Sequence, residues 1–153
     1  MSIDHNSSSV HTYLSLLQGV ISRMAGNGAA CKTWCLTLAT ATVVFGVNGD
    51  NRIIALAFLP IGVFFLLDAY YLSLERDFRK MYNGFVSEIH KQVADEAKLF
   101  ELKPTGGWSY RGRATARAFG SPSILPFYVI LVIAVLAIAS AVSNPTVSGG
   151  FRP

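Results

Sequence analysis

The length, composition and charge of this chain exclude several classes of protein. Its 153 residues are enough for one compact unit, 52% are apolar, and only 14% are charged, against about a quarter in soluble domains. The formal net charge is +4, and two cysteines are too few for a disulfide-stabilised secreted scaffold.

The N-terminal region predicts a polar tail followed by an amphipathic helix. Residues 1–10 lack the basic cluster and the apolar stretch of a secretory signal, so we expect no cleavage there. Residues 11–27 predict a helix that lies along the inner leaflet or packs on a partner helix. Its apolar residues recur at helical spacing: Tyr13, Leu14, Leu17, Val20, Ile21 and Met24.

Residues 28–74 predict a transmembrane hairpin. Two apolar stretches, 33–47 and 53–74, are joined by a polar turn at residues 48–51. Pro60 lacks an N–H group and should free a carbonyl in the preceding turn, so we expect it to kink the second helix. A soluble, buried hairpin is the alternative interpretation.

Asp68 is the charged residue within the second apolar stretch. In an antiparallel hairpin it should lie at the same depth as Lys32, because both are 18 residues from Asp50 in the turn. A charge at such depth usually faces protein or a water-filled cavity. We therefore predict an intramembrane ion pair between Asp68 and Lys32. A role at the helix end near Tyr70, or in lining a polar cavity or gate, remains open.

Residues 75–103 predict a long cytoplasmic helix, because no proline interrupts the chain between Pro60 and Pro104. Apolar residues at steps of three and four give it one apolar face, about 40 Å long. This face needs a cover, which is either the helix at 11–27 or the same helix of other copies. We expect a homo-oligomer or partner to contact it through Phe78, Tyr82, Phe85 and Ile89.

Residues 104–122 predict a basic linker rich in glycine and arginine, in which aromatic residues alternate with the basic ones. Arginine binds phosphate bidentately and aromatic rings stack on bases, which would suit a ligand or partner site. Basic segments beside a membrane also bind anionic lipids, and membrane lipid is the contact that we expect here. No sequence-specific binding to nucleic acid is predicted. The residues concerned are Trp108, Arg111, Arg113 and Arg117.

Residues 123–143 predict a third transmembrane helix, which we expect Ser123 to cap, followed by a tail at 144–153. From Ile124 to Val142 there are nineteen residues without a charge, an amide or a histidine. As a helix they cover roughly the 30 Å of a bilayer's hydrocarbon core. A soluble chain of this length could not bury such a helix on all its faces.

The distribution of basic residues predicts the orientation in the membrane. Nine lysines and arginines lie between residues 75 and 119, whereas the hairpin turn has only Arg52 and the C-terminal tail only Arg152. By the positive-inside rule the middle segment is cytoplasmic. The predicted fold is therefore all-α, with three transmembrane helices, the N-terminus inside and the C-terminus outside.

Motifs for catalysis or metal binding do not occur in the sequence. It has no Walker-type phosphate loop, no HExxH and no GxSxG, and its three histidines are scattered. Cys31 and Cys35 are expected to pack between helices, because they would need metal ligands from elsewhere in the chain. The sequence predicts no enzyme, no catalytic residue, no cofactor and no metal.

Two stretches carry a resemblance to known proteins. Residues 14–34 and the pattern FFLLDAYYLSLERDFRKMYN at residues 64–83 resemble a group of small bacterial membrane proteins. The layout is also similar to the SLATT-type transmembrane effectors of anti-phage and nucleotide-signalling systems. The resemblance implies an oligomeric protein of the bacterial inner membrane that perturbs the membrane when a sensor is triggered. In a bacterial inner membrane, the C-terminus that the positive-inside rule places outside is periplasmic. The third span at 123–143 departs from the two spans of such effectors.

The sequence is therefore compatible with three alternative functions. The first is a membrane-perturbing component of an anti-phage defence system, which the resemblance favours. The second is a membrane-anchored scaffold or sensor that recruits a cytoplasmic protein, or responds to a nucleotide signal, through its cytoplasmic helix and basic linker. The third is a small transport subunit, which ranks last because one intramembrane acid and no inverted repeat are visible.

Overall fold

The computed structural model describes residues 8–91, 100 and 108–143, and every regular element in these ranges is helical. The all-α prediction is confirmed for this part of the chain. Predictions for residues 1–7, 92–99, 101–107 and 144–153 lie outside the described residues. In chain order, the elements are α1 (Ser8–Asn48), a 3-10 helix (Asn51–Ala57), α2 (Phe58–His90), α3 (Trp108–Phe119) and α4 (Leu125–Ser143).

Three helical segments are long and apolar enough to cross a bilayer: Ser8–Asn48, Asn51–His90 and Leu125–Ser143. Their apolar parts correspond to the three predicted spans. The last of them, α4, is the most apolar, with a mean hydropathy of 2.7. Its 19 residues rise about 28 Å, close to the thickness of a hydrocarbon core.

The N-terminal half of the chain differs from the prediction: α1 is one continuous helix of 41 residues. The sequence predicts an amphipathic helix at 11–27, separate from a span that begins near residue 28. The boundary falls at Gly26, Asn27 and Gly28, which are poor helix formers. Each costs at most about 1 kcal/mol, and no proline is present, so the helical stretches on both sides are joined through them.

Pro60 lies in the first turn of α2 instead of its middle, and the kink predicted there stays a prediction. A 3-10 helix occupies Asn51–Ala57, and α2 begins at Phe58, so Pro60 falls in the first turn of α2. The N–H groups of a first turn have no partner within the helix, and proline is therefore tolerated at that place. The 3-10 helix itself begins where the Asp50 carboxylate accepts a hydrogen bond of 2.9 Å from the N–H of Arg52.

The predicted basic linker is largely helical, since α3 extends over Trp108–Phe119. A turn connects it to α4, and Ser121 organises this turn instead of the predicted Ser123. Its carbonyl accepts hydrogen bonds of 3.0 Å from the N–H groups of Ile124 and Leu125. Its hydroxyl oxygen accepts one of 3.4 Å from the N–H of Ser123.

The chain divides into two compact units, of which the first comprises residues 1–28 and 69–118. Its core joins the N-terminal part of α1 to the C-terminal part of α2. The rings of Tyr13 and Phe85 meet edge to face, with centroids 4.8 Å apart at 82°. The buried core residues of this unit are Val10, Tyr13, Leu17, Phe78 and Phe85.

This core shows what covers the apolar face of the long helix. Phe78 and Phe85 are buried against residues of α1 in the same chain, and Tyr82 and Ile89 are partly buried beside them. Of the two covers considered from the sequence, the structure contains the intramolecular one. Phe78 and Phe85 are therefore covered within the chain, and the predicted contact of this face with a second copy or a partner stays a prediction.

The second unit comprises residues 29–68 and 119–153. Gly46 of α1 packs directly on Ile54, where a Cβ atom on the glycine would lie 2.5 Å from the Ile54 side chain. The ring of Phe65 stacks on that of Phe119 at 4.9 Å and meets that of Tyr128 edge-on at 5.2 Å. Helix α4 also contacts the 3-10 helix.

Candidate functional sites

An ion pair lies inside the second unit. Lys32 Nζ is 2.5 Å from Asp68 Oδ2, and the side chains are 25% and 3% exposed, respectively. The two residues lie on different helices, α1 and α2. The sequence predicts this contact, because both residues are equally far along the chain from the hairpin turn. The contact pairs the acid of the second apolar stretch with a basic side chain that is partly open to the surroundings.

The Asp68 carboxylate also has Tyr128 of α4 as a neighbour. The tyrosine hydroxyl is close enough to Asp68 to interact with it electrostatically. In the part of the chain that the structure describes, neither that hydroxyl nor Asp68 Oδ2 makes a hydrogen bond of regular geometry. Three helices thus bring polar groups to one buried point, and the ion pair with Lys32 is the contact that compensates the acid there. Tyr128 was not predicted to lie beside this ion pair, although its polar hydroxyl in a charge-free span was a signal.

The two cysteines lie on the buried side of α1. Cys31 and Cys35 are free thiols, and the Cys35 thiol donates a long contact of 3.9 Å to the carbonyl of Pro60. Within the described ranges, no three histidine, cysteine, aspartate or glutamate side chains come together as a metal site. Packing between helices is the role that this geometry supports.

A second site, which we call the basic cleft, lies in the first unit between α2 and α3. Its volume is about 210 Å³. Each helix contributes the residues at positions i, i+3, i+4 and i+7, which form one helical face. The lining residues are Ser73, Arg76, Asp77 and Lys80 from α2, and Tyr110, Arg113, Ala114 and Arg117 from α3.

Asp77 is the acidic residue of the basic cleft, and it is only 3% exposed. Its Oδ1 accepts a hydrogen bond of 3.3 Å from the Tyr110 hydroxyl and lies 3.5 Å from Lys80 Nζ. On the neighbouring turn, the hydroxyl oxygens of Ser73 and Thr115 are 3.2 Å apart. Because Ser73 contacts α3 near its end and Asp77 contacts it near its start, the two helices run antiparallel.

The structure separates the arginines that had been predicted to act together. Arg113 and Arg117 line the basic cleft, whereas Arg111 does not. Residues two apart on a helix point about 200° away from each other. Arg111 instead buries its Nε atom, which has no hydrogen-bond partner among the described residues. Trp108 begins α3, but its side chain lies outside the described residues.

Sequence reasoning missed the contribution of α2 to the basic cleft. Arg76 and Lys80 were counted only as determinants of orientation, although they lie four residues apart on one helical face, as Arg113 and Arg117 do. This matching spacing was the available signal. Nothing in the sequence alone showed that the two faces are turned towards each other.

Comparisons with protein-family models, with curated proteins and with solved structures gave no match to this chain.

Proposed function

We propose that this chain is an integral protein of the bacterial inner membrane that acts as an oligomeric, membrane-perturbing component of an anti-phage defence system. The observation that carries the membrane location is the exposed apolar surface. Large apolar side chains face outwards on α1, α2 and α4, and Phe45, Leu59 and Ile130 are 71%, 68% and 66% exposed. Such a surface is covered by lipid or by another protein.

The perturbing activity rests on the resemblance to SLATT-type effectors and on the buried ion pair. In the folded state Lys32 and Asp68 compensate each other. Separating them leaves two charges in apolar surroundings, which is costly. A trigger that pulls α1 and α2 apart would therefore favour a state in which water reaches these groups. Assembly of several copies would use the outer faces of the helices, because Phe78 and Phe85 on the apolar face of α2 are already covered by α1.

The test is inducible expression in bacteria, with a fluorescent dye that reports membrane potential. We expect depolarisation on induction, or on phage infection of the induced cells. Replacing Asp68→Asn should change the extent of depolarisation while the protein still fractionates with membranes. Asp50→Asn is the matched control, because Asp50 is an exposed acid of the hairpin turn. A potential that stays intact while phage growth is still inhibited would contradict the proposal.

A membrane-anchored sensor is the second candidate, and the basic cleft favours it. Four cationic side chains surround this cavity, which suits recognition of an anionic partner or signal without any change in bilayer permeability. In that case, removing cleft charges would abolish phage inhibition while the membrane potential of the wild type and the variant remained equal. Alkaline extraction of membranes tests the assumption that both candidates share.

A further inference from the structure

The strongest unassigned feature of the molecule is the basic cleft between α2 and α3. We propose that it binds the phosphate group of an anionic ligand, held mainly by Arg76, Lys80, Arg113 and Arg117. The phosphate is that of a soluble phosphorylated compound or of a lipid headgroup, since the chemistry recognised is the same. Phosphate binding at this site goes beyond membrane perturbation and does not require it.

The charge of the lining is the first argument. Four cations and one carboxylate give the lining a formal charge of +3. On each helix two of the cations are four residues apart, an arrangement of like charges that destabilises a helix. A bound anion would offset this repulsion between Arg113 and Arg117, whereas on α2 Asp77 already lies beside Lys80.

The hydrogen-bond partners already present give the second argument. Asp77 Oδ1 accepts hydrogen bonds from the Tyr110 hydroxyl and from Lys80 Nζ. The Ser73 hydroxyl donates to the carbonyl of Tyr70 at 2.8 Å. Among the described residues, neither Arg113 nor Arg117 forms an ion pair. Both arginines are exposed, and a guanidinium group matches phosphate oxygens with two parallel hydrogen bonds.

Cavity size decides how much of a ligand fits. The volume of about 210 Å³ is below the roughly 300 Å³ at which pockets for whole small molecules begin. It is large enough for a phosphate group and a few waters, at about 30 Å³ for each water. The basic cleft therefore receives the phosphate end of a ligand, and the rest of that ligand extends outside.

Binding is measured with the full chain, using one probe for each source of phosphate. Inorganic pyrophosphate, titrated into phosphatidylcholine nanodiscs, represents the soluble source. For the lipid source, the detergent-solubilised protein is mixed with vesicles of phosphatidylcholine alone, or with an equal mixture of phosphatidylcholine and phosphatidic acid. Binding of pyrophosphate only identifies a soluble ligand, preference for the phosphatidic acid vesicles only identifies a headgroup, and either result supports the proposal.

The variants separate the basic cleft from overall charge. The double variant Arg113→Gln with Arg117→Gln should bind the effective probe about tenfold more weakly or worse, because two charge-assisted contacts are lost. Arg23→Gln with Lys91→Gln removes the same charge from exposed positions outside the cleft and should bind like the wild type. Arg113→Lys with Arg117→Lys keeps the charge but loses the paired geometry, and its affinity should be intermediate.

Two results would overturn the proposal. One is that the wild-type protein binds neither probe. The other is that the cleft variant and the charge-matched control weaken binding equally, which would mean attraction by net charge alone. Circular dichroism of each variant checks that α2 and α3 still fold. If the glutamine variant does not fold, the affinity of the lysine variant is compared with that of the wild type instead.

Discussion

Lys32 Nζ and Asp68 Oδ2 lie 2.5 Å apart, and they join α1 to α2 within the second unit. The acid is almost fully buried while the lysine is a quarter exposed, so the burial of this pair is one-sided. Because that oxygen has no hydrogen bond of regular geometry to any described residue, Lys32 determines how well the carboxylate is tolerated. This asymmetry leads to the first prediction.

Replacing Lys32→Met should destabilise the protein by about 3 kcal/mol, because it leaves a buried carboxylate without its cation. Replacing both residues, as Lys32→Met with Asp68→Leu, should restore most of the loss, since apolar residues can substitute for a buried pair. Thermal unfolding in detergent, followed by circular dichroism, measures both changes. If the double variant is as unstable as the single one, the ion pair is not the reason for the loss.

Replacing Gly46→Val should destabilise the second unit by about 1–3 kcal/mol, because the added side chain overpacks its contact with Ile54. A Cβ atom at this position would lie 2.5 Å from Ile54 Cγ1 and 2.9 Å from its backbone nitrogen, and the backbone atom cannot simply rotate away. Gly62→Val is the control, because nothing lies within 4 Å of a Cβ there. Equal melting temperatures for the two variants would show that Gly46 is not a close-packing position.

Replacing Phe85→Ala should cost about 3–5 kcal/mol, since it empties the centre of the first unit's core. Together with Tyr13→Ala, the effects should be non-additive by about 1 kcal/mol, because the two rings form an edge-to-face pair. A double-mutant cycle of unfolding free energies measures this coupling. Leu16→Ala, on the exposed side of α1, should cost little. Additive effects of Tyr13 and Phe85 would contradict the intramolecular cover of α2.

The orientation derived from basic residues is tested with fusions at the C-terminus. We expect alkaline phosphatase fused after Pro153 to be active and green fluorescent protein fused there to be dark, because the tail is then periplasmic. Fusions before Met1 should give the opposite pattern for fluorescence. Replacing Arg113 and Arg117, which this orientation would place in the cytoplasm, with glutamine should weaken the preference for it. A fluorescent C-terminal fusion would reverse or remove the proposed topology.

Hydrophobic length and charge placement determined much of this protein from the sequence alone. In a long apolar stretch with apolar surroundings, the backbone N–H and C=O groups find partners only within a helix. Helix α4 and the apolar parts of α1 and α2 were therefore predictable. The partnership of Lys32 and Asp68 was also accessible, because a tight turn relates positions along the two helices that it joins. Helix boundaries were less so: Pro60 is compatible with a mid-helix kink and with a first turn, and only the preceding 3-10 helix distinguishes them.

Tertiary structure alone decided which faces meet. The apolar face of α2 has the same residue spacing whether α1 or another copy of the chain covers it. The burial of Phe78 and Phe85 against α1 shows the cover that this chain itself provides. Likewise, Arg76 and Lys80 resemble ordinary solvated residues until α3 places Arg113 and Arg117 opposite them. Periodicity specifies the faces of one helix, whereas the choice of the opposing face depends on packing between residues distant in the chain.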